Sequence, residues 1–233
     1  MMASVDVAIL DREIYSAAEA AQILRVPPLT LMWWLDGTSR DGKVYPPVIR
    51  PETTGKRTLT WAEFVEAGLL RQYRRDLGVK LQELRGFIDG LRDATQVPYP
   101  LAHYRPWVGE GQRLVLEVQR KSELPGELWL VAQTAGQLVL TGPADSFLRR
   151  VDWLDELPVA WRPHLDEDSP IRCLPTQRFG RPSIKGISTE ALMEHLDADE
   201  DEQDVAEAFD LDIADVRWAR SFEESRRAQL AAA

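Results

Sequence analysis

A chain of 233 residues can bury one large core or two to three small ones, and its single cysteine, Cys173, excludes an intrachain disulfide and a thiolate metal cluster. No run reaches the ~18 consecutive apolar residues of a membrane span, and Asp6 and Asp11 stand where a signal peptide would be basic, so a soluble cytoplasmic protein is expected. The formal net charge of -10 is unevenly spread: residues 11–95 carry 13 Lys and Arg against 12 Asp and Glu, residues 166–233 carry 8 against 17, and the two ends should meet different partners.

In chain order, YSAAEAAQILR (15–25) reads as a helix behind Ser16, with Glu19 completing a capping box. Pro27 and Pro28 break it, and a second apolar run, Leu29 to Leu35, stops at Asp36-Gly37, so the pair reads as a helix-turn-helix. Within LTLMWWLDG, helical spacing sets Leu31, Trp34 and Leu35 on one side and Leu29, Met32 and Trp33 on another. Trp34 should therefore anchor a core, with Trp33 partly exposed beside DNA or a second protein surface. Residues 37–60 alternate turn signals (Arg40-Asp41-Gly42, Thr54-Gly55) with extended runs at 44–49 and 57–59, which fits a two-stranded wing. Thr60 caps a helix with Phe64, Leu69 and Tyr73 inward and Gly78 at its end; Leu81, Leu84, Phe87, Ile88 and Leu91 form the stripe of another. These elements make a unit over residues 12–96.

After Pro98 and Pro100 the period becomes two, at 113–119, 127–133 and 137–141, with Ala135-Gly136 as the turn between the last two and Leu154 to Trp161 adding a further strand. This is a β-rich middle element, residues 97–165. A Pro-rich passage from Pro158 to Pro182 leads into helical texture at 189–196, 202–209 and 213–227, within an acidic unit over 166–233. The expected class is α+β: a winged helix-turn-helix, a small antiparallel β element and a C-terminal helical domain of helix-turn-helix pattern.

Nothing in the chain reads as an enzyme, a cofactor site or a metal site. His103, His164 and His195 lie far apart, with no Gly-rich phosphate loop or nucleophile elbow beside them. DADEDEQDVAE (197–207) has alternate aspartates, but a calcium loop needs Gly at its sixth position and Glu at its twelfth, where Glu202 and Ala208 stand. No Lys or Arg occurs between Lys185 and Arg217, and this acidic face either confers solubility or pairs with a basic protein. In the N-terminal unit, Thr30 and Trp33 of the second helix would face DNA, with Arg40, Lys43, Arg50, Lys56 and Arg57 on phosphates. Arg71, Arg74, Arg75, Lys80 and Arg85 would add positive potential; the alternative is a winged helix turned protein-contact module.

YSAAEAAQILRVPPLTLMWWLDG, followed by RTLTWAEFVEAGLLRQYRRDLGVKLQELR, resembles the winged helix-turn-helix of MerR-type regulators over residues 14–92. In that family the second helix reads Thr-Leu-Arg followed by aromatic residues, with the arginine and first aromatic on the DNA backbone. Thr30 and Leu31 match, Met32 replaces the arginine, Trp33 and Trp34 hold the aromatic positions, and Arg57 matches the wing arginine. FGRPSIKGISTEALMEHL, continuing as DVAEAFDLDIADVRWARSFE, is similar to a small helical domain of unknown function common in antitoxins encoded beside PIN-like ribonuclease toxins. Gly180, Pro182, Ile184 and Gly186 fit its Gly-x-Pro-x-Ile-x-Gly signature, although the segment after Gly186 is shortened where the family has an arginine and a proline.

As a whole the chain resembles the large VapB-type antitoxins. The resemblance implies a type II antitoxin that inhibits a PIN-like ribonuclease toxin and binds operator DNA as a homodimer. Such toxins hold Mg²⁺ with carboxylates, so Arg217, Arg220, Arg226 and Arg227 become candidates for insertion among those acids. Two other readings stay open: a MerR-like transcription regulator without a toxin, whose β-rich middle senses a ligand, and an adaptor whose winged helix no longer binds DNA.

Overall fold

The computed structural model describes residues 9–76, 78, 80–103, 109–122, 124–126, 129–134, 137–155, 157–164 and 166–231. The class is α+β, and the chain separates into two compact units, Met1–Val159 and Ala160–Ala233.

In the first unit, β1 (Glu13–Ser16) pairs antiparallel with β4 (Thr58–Thr60). Because the pairing is antiparallel, α1 (Ala17–Leu24) and α3 (Trp61–Arg71) start at opposite ends of the ribbon, where the Ala17 N–H donates to the Arg57 carbonyl and the Trp61 N–H to the Arg12 carbonyl, and each start carries a full capping box, Ser16 with Glu19 and Thr60 with Glu63. Between α1 and α2 (Pro28–Asp36) lies a short turn, opened by Arg25 in the left-handed region and closed by Pro28 at the head of α2. Helix α2 ends at Gly37, where φ is +74° and a Cβ would stand 2.3 Å from the Tyr45 carbonyl oxygen, so a side chain is excluded there. The hairpin of β2 (Thr38–Arg40) and β3 (Lys43–Tyr45) turns through Asp41-Gly42, both at positive φ.

Packing follows the apolar periods. Leu31, Trp34 and Leu35 of α2 are buried, as are Tyr15, Trp61 and Phe64, with ring centroids 4.6 Å apart for Tyr15–Phe64 and 5.4 Å for Trp61–Phe64. Trp34 is 3 % exposed and Trp33 40 %, the division that helical spacing requires of adjacent positions. Helix α3 runs into a π-helical turn (Gln72–Asp76), and α4 (Leu81–Thr95) buries Leu84, Phe87, Ile88 and Leu91.

The expected strand over 113–119 is instead part of helix α5 (Gly109–Lys121). Leu114, Val115, Leu116 and Val118 satisfy both periods, and the neighbours decide between them. Helix α5 packs on α4 and buries Val115, Leu116, Val118 and Gln119. The fully buried Gln119 then does for β5 what a strand would have done: its Oε1 accepts from the Leu130 and Val131 N–H groups at 2.6 and 3.2 Å, and its Nε2 donates to the Val131 carbonyl at 2.9 Å. β5 (Val131–Thr134) and β6 (Gln137–Leu140) form the expected hairpin in register Val131↔Leu140; the expected turn at Ala135-Gly136, and Glu127 and Leu128 of the expected strand, lie outside the described residues. Helix α6 (Gly142–Leu148), β7 (Val151–Leu154) and β8 (Leu157–Trp161) follow, so the expected strand at 154–161 is present in its second half.

The second unit is helical with a small sheet that its Pro-rich sequence did not suggest. Trp161 pairs with Cys173 of β9 (Arg172–Cys173), which pairs with β10 (Pro182–Ile184), which pairs with β11 (Ile187–Ser188), all antiparallel. Lys185-Gly186, both at positive φ, make the two-residue β10–β11 turn. Ser188 caps α7 (Thr189–Asp197), Asp201 caps α8 (Glu202–Phe209), and α9 (Ile213–Ala231) closes the unit. Ile171, Ile184, Leu192, Val205, Val216 and Ala219 are buried in one core between sheet and helices. Among the described residues no helix is long and apolar enough to cross a membrane.

Candidate functional site

Each unit presents a charged surface, and the two differ in how their charges are held. On the first, α2 and the β2–β3 hairpin carry the candidates. Thr30 is half-buried, Trp33 is exposed, Arg40 is exposed with its neighbour Asp41 at 3.7 Å, and Lys43 is exposed with its ammonium 5.3 Å from the Tyr45 ring centre. Lys56 is exposed but sits 2.6 Å from Glu13 Oε1, and Arg57 is exposed just before β4, its carbonyl accepting from the Ala17 N–H at 2.8 Å.

Arg50 requires a correction. It is 2 % exposed and donates from Nε to Glu63 Oε1 at 2.8 Å, from Nη1 to Asp36 Oδ1 at 2.8 Å and Thr54 Oγ1 at 2.7 Å, and from Nη2 to the Thr58 carbonyl at 2.7 Å. Instead of meeting a phosphate it ties the end of α2 and the 54–58 segment to the start of α3. Burial works against the Asp36 charge, but the Thr54 N–H and the Arg50 guanidinium outweigh it and hold that carboxyl below its usual range. The same pair of carboxylates, Glu63 first, keeps Arg50 charged despite its own desolvation. Sequence shows residue type, not burial, and an arginine between two prolines and a turn looked like a wing cation.

The added cationic cluster is also dispersed. Arg85 donates to the carbonyls of Pro46 and Pro47 at 2.9 and 3.3 Å, Lys80 stands 3.8 Å from Glu83, and the Arg75 side chain lies outside the described residues. What the sequence reading missed here is apolar: Leu29, Val44 and Tyr45 join Trp33 as exposed large side chains on α2 and β3. Sequence held no signal for it, because valine and tyrosine on a strand read as one buried face, whereas all three residues of β3 are exposed.

On the second unit a cleft of about 470 Å³ opens where α7 ends and α8 and α9 begin. Leu196 and Ile213 give it apolar walls, Asp199, Glu200, Asp201 and Glu202 supply carboxylates, and Arg217 and Arg220 project from α9. Glu202 holds both arginines, accepting from Arg217 Nε at 2.8 Å and from Arg220 Nη1 at 2.6 Å. The other acids have separate roles: Glu200 Oε1 meets His195 Nδ1 at 2.9 Å, and Asp201 Oδ1 accepts from the Gln203 N–H at 2.9 Å as the α8 cap.

Arg226 and Arg227 are not part of this cleft. Arg227 forks onto Asp197 at 3.0 and 2.5 Å, an arrangement that lowers the Asp197 carboxyl and raises the guanidinium. Arg226 Nε lies 2.8 Å from Glu223, whose other oxygen accepts from Thr189 Oγ1 at 2.6 Å in the buried seam between α7 and α9. The structure thus brings two of the four candidate arginines together, and adds Glu202, which in sequence was one acid among many on a solvated face.

No family model matches the chain. It is 28% identical over 238 residues to the uncharacterized protein Rv2308 of Mycobacterium tuberculosis, a similarity that covers 96% of each chain. Its fold is similar to the crystal structure of Rv2018 from the same organism, with a TM-score of 0.71, 26% identity, and coverage of 90% of this chain and 98% of that one. Both likenesses run nearly end to end.

Proposed function

We infer that the chain is the antitoxin of a type II toxin–antitoxin system, of the large VapB-like kind. Its C-terminal unit binds and inhibits a PIN-like ribonuclease, and its N-terminal unit, a MerR-like winged helix-turn-helix, binds operator DNA as a homodimer in the cytoplasm. The observation that carries the first part is the cleft in which exposed Arg217 and Arg220 project beside Asp199, Glu200, Asp201 and Glu202 in a unit of net negative charge. Guanidinium forks match carboxylates, and a ribonuclease that holds Mg²⁺ among acids offers carboxylates inside a basic, RNA-binding rim. The acidic surround meets that rim and speeds the encounter.

Support for DNA binding is narrower. With Arg50 internal and Lys56 paired to Glu13, the phosphate contacts reduce to Arg40, Lys43 and Arg57, with Thr30 and Trp33 on α2 toward the groove. Exposed Leu29 lies one turn from exposed Trp33 on α2 and favours a protein contact there, so DNA is the secondary activity of this reading.

Co-expression with the product of the adjacent gene tests the proposal. A stable complex that is lost when residues 166–233 are removed is the expected result. Neutralisation of that product by the truncated chain would refute the assignment of the C-terminal unit.

A further inference from the structure

We propose that Glu202 is an internal stand-in for the partner's carboxylates, and that capture proceeds by exchange: Arg217 and Arg220 leave Glu202 and take up clustered carboxylates on the ribonuclease. The inference rests on the reading of the C-terminal unit given above. Arg217 and Arg220 lie three residues apart on α9 and so share a face, and each takes one oxygen of Glu202, at 2.8 and 2.6 Å. Glu202 is the only carboxylate that the described contacts bring to either of them, since Glu200 is engaged by His195 and Asp201 by the α8 cap. One carboxylate thus orders two guanidinium groups in the open cleft before any partner arrives.

The arrangement is made to be exchanged. The Arg217 and Arg220 side chains are 63% and 40% exposed, so release costs the guanidiniums little, while Glu202, 19% exposed, is the partner that loses by it. Once a partner covers the cleft, the Leu196 and Ile213 walls exclude water and the same guanidiniums hold carboxylates more tightly. Glu202 competes for those cations in the free protein and would repel the incoming acids in the complex. It keeps the arginines in place and weakens the complex by doing so.

The test uses the full chain immobilised against the purified product of the adjacent gene, with dissociation rates measured for wild type, Glu202→Gln, and the double variant Arg217→Ala/Arg220→Ala. Glu202→Gln leaves the Asp201 cap in place, and an unchanged melting temperature establishes that the unit is intact. The expected results are dissociation several-fold slower for Glu202→Gln, much faster for the double variant, and faster for wild type as MgCl₂ competes for the partner's acids. Glu202→Gln leaving at the wild-type rate or faster, while the double variant is weak, overturns the exchange and leaves the antitoxin reading standing. A double variant that binds like wild type overturns the role of both arginines. No complex with any form overturns the exchange together with the antitoxin reading.

Discussion

Arg50 and Glu66 are charged residue types held where no solvent reaches, and their consequences for stability differ in sign. Removing the Arg50 guanidinium leaves Glu63 and Asp36 without their cation, so Arg50→Ala should cost about 3–5 kcal/mol in urea denaturation. A phosphate-binding wing arginine would cost under ~0.5 kcal/mol at the same position. Glu66 is fully buried, with Oε1 accepting from the Leu101 N–H at 2.9 Å and Arg92 no closer than 3.9 Å. Burial, only partly offset by Arg92, pushes its carboxyl up to about 8. A raised acid binds its proton more tightly in the folded state, so its contribution is complete below the ordinary value of 4.5 and is lost as pH rises through about 8. Glu66→Gln keeps the acceptor for Leu101 and cannot ionise. Its melting temperature relative to wild type should therefore rise steadily between pH 5 and pH 8; parallel curves would mean that Glu66 is an ordinary ion-pair partner of Arg92.

Among elements, the α4–α5 contact gives the sharpest contrast. A Cβ on Gly90 would lie 2.8 Å from Val118 Cγ1, whereas one on Gly86, a turn earlier on α4, would meet nothing within 4 Å. Gly86→Ala should therefore raise stability by about 0.5–1 kcal/mol through helix propensity, and Gly90→Ala should lower it by about 1–3 kcal/mol through overpacking. Equal effects in thermal denaturation would contradict the α4–α5 packing. Much of this unit was legible beforehand: the Ser16–Glu19 capping box, the Thr60 cap, the break at Pro27-Pro28, the Gly37 stop and the opposite exposures of Trp33 and Trp34 all follow from local rules. Helix α5 was not, because its apolar run fits two periods and only Gln119, bonded to residues 130 and 131, marks its neighbour as a strand. Nor was the sheet of the second unit, whose two- and three-residue strands are too short to show a period. For the hairpin surface, three phosphate contacts per protomer in a dimer predict a slope of log affinity against log salt of about -5, reduced by about 2 in Arg57→Ala, by mobility shift on its own upstream DNA. Affinity insensitive to salt would exclude phosphate-driven binding.

At the scale of the molecule, the uneven charge is the feature that sequence and structure share. The acids between Lys185 and Arg217 read equally well as a solubilising face or a partner surface, and residue order does not show how α7, α8 and α9 arrange them. Only the fold brings residues 202, 217 and 220 to one cleft and sends Arg226 and Arg227 elsewhere. An acidic unit meeting a basic ribonuclease should associate more slowly as salt rises, with dissociation far less affected. The most direct measurement is an RNA cleavage assay of the adjacent gene's product with Mg²⁺, alone and with equimolar full-length chain. The account predicts cleavage in the first case, inhibition by wild type, and loss of that inhibition for Arg217→Ala/Arg220→Ala; cleavage undiminished by the wild-type chain would contradict it.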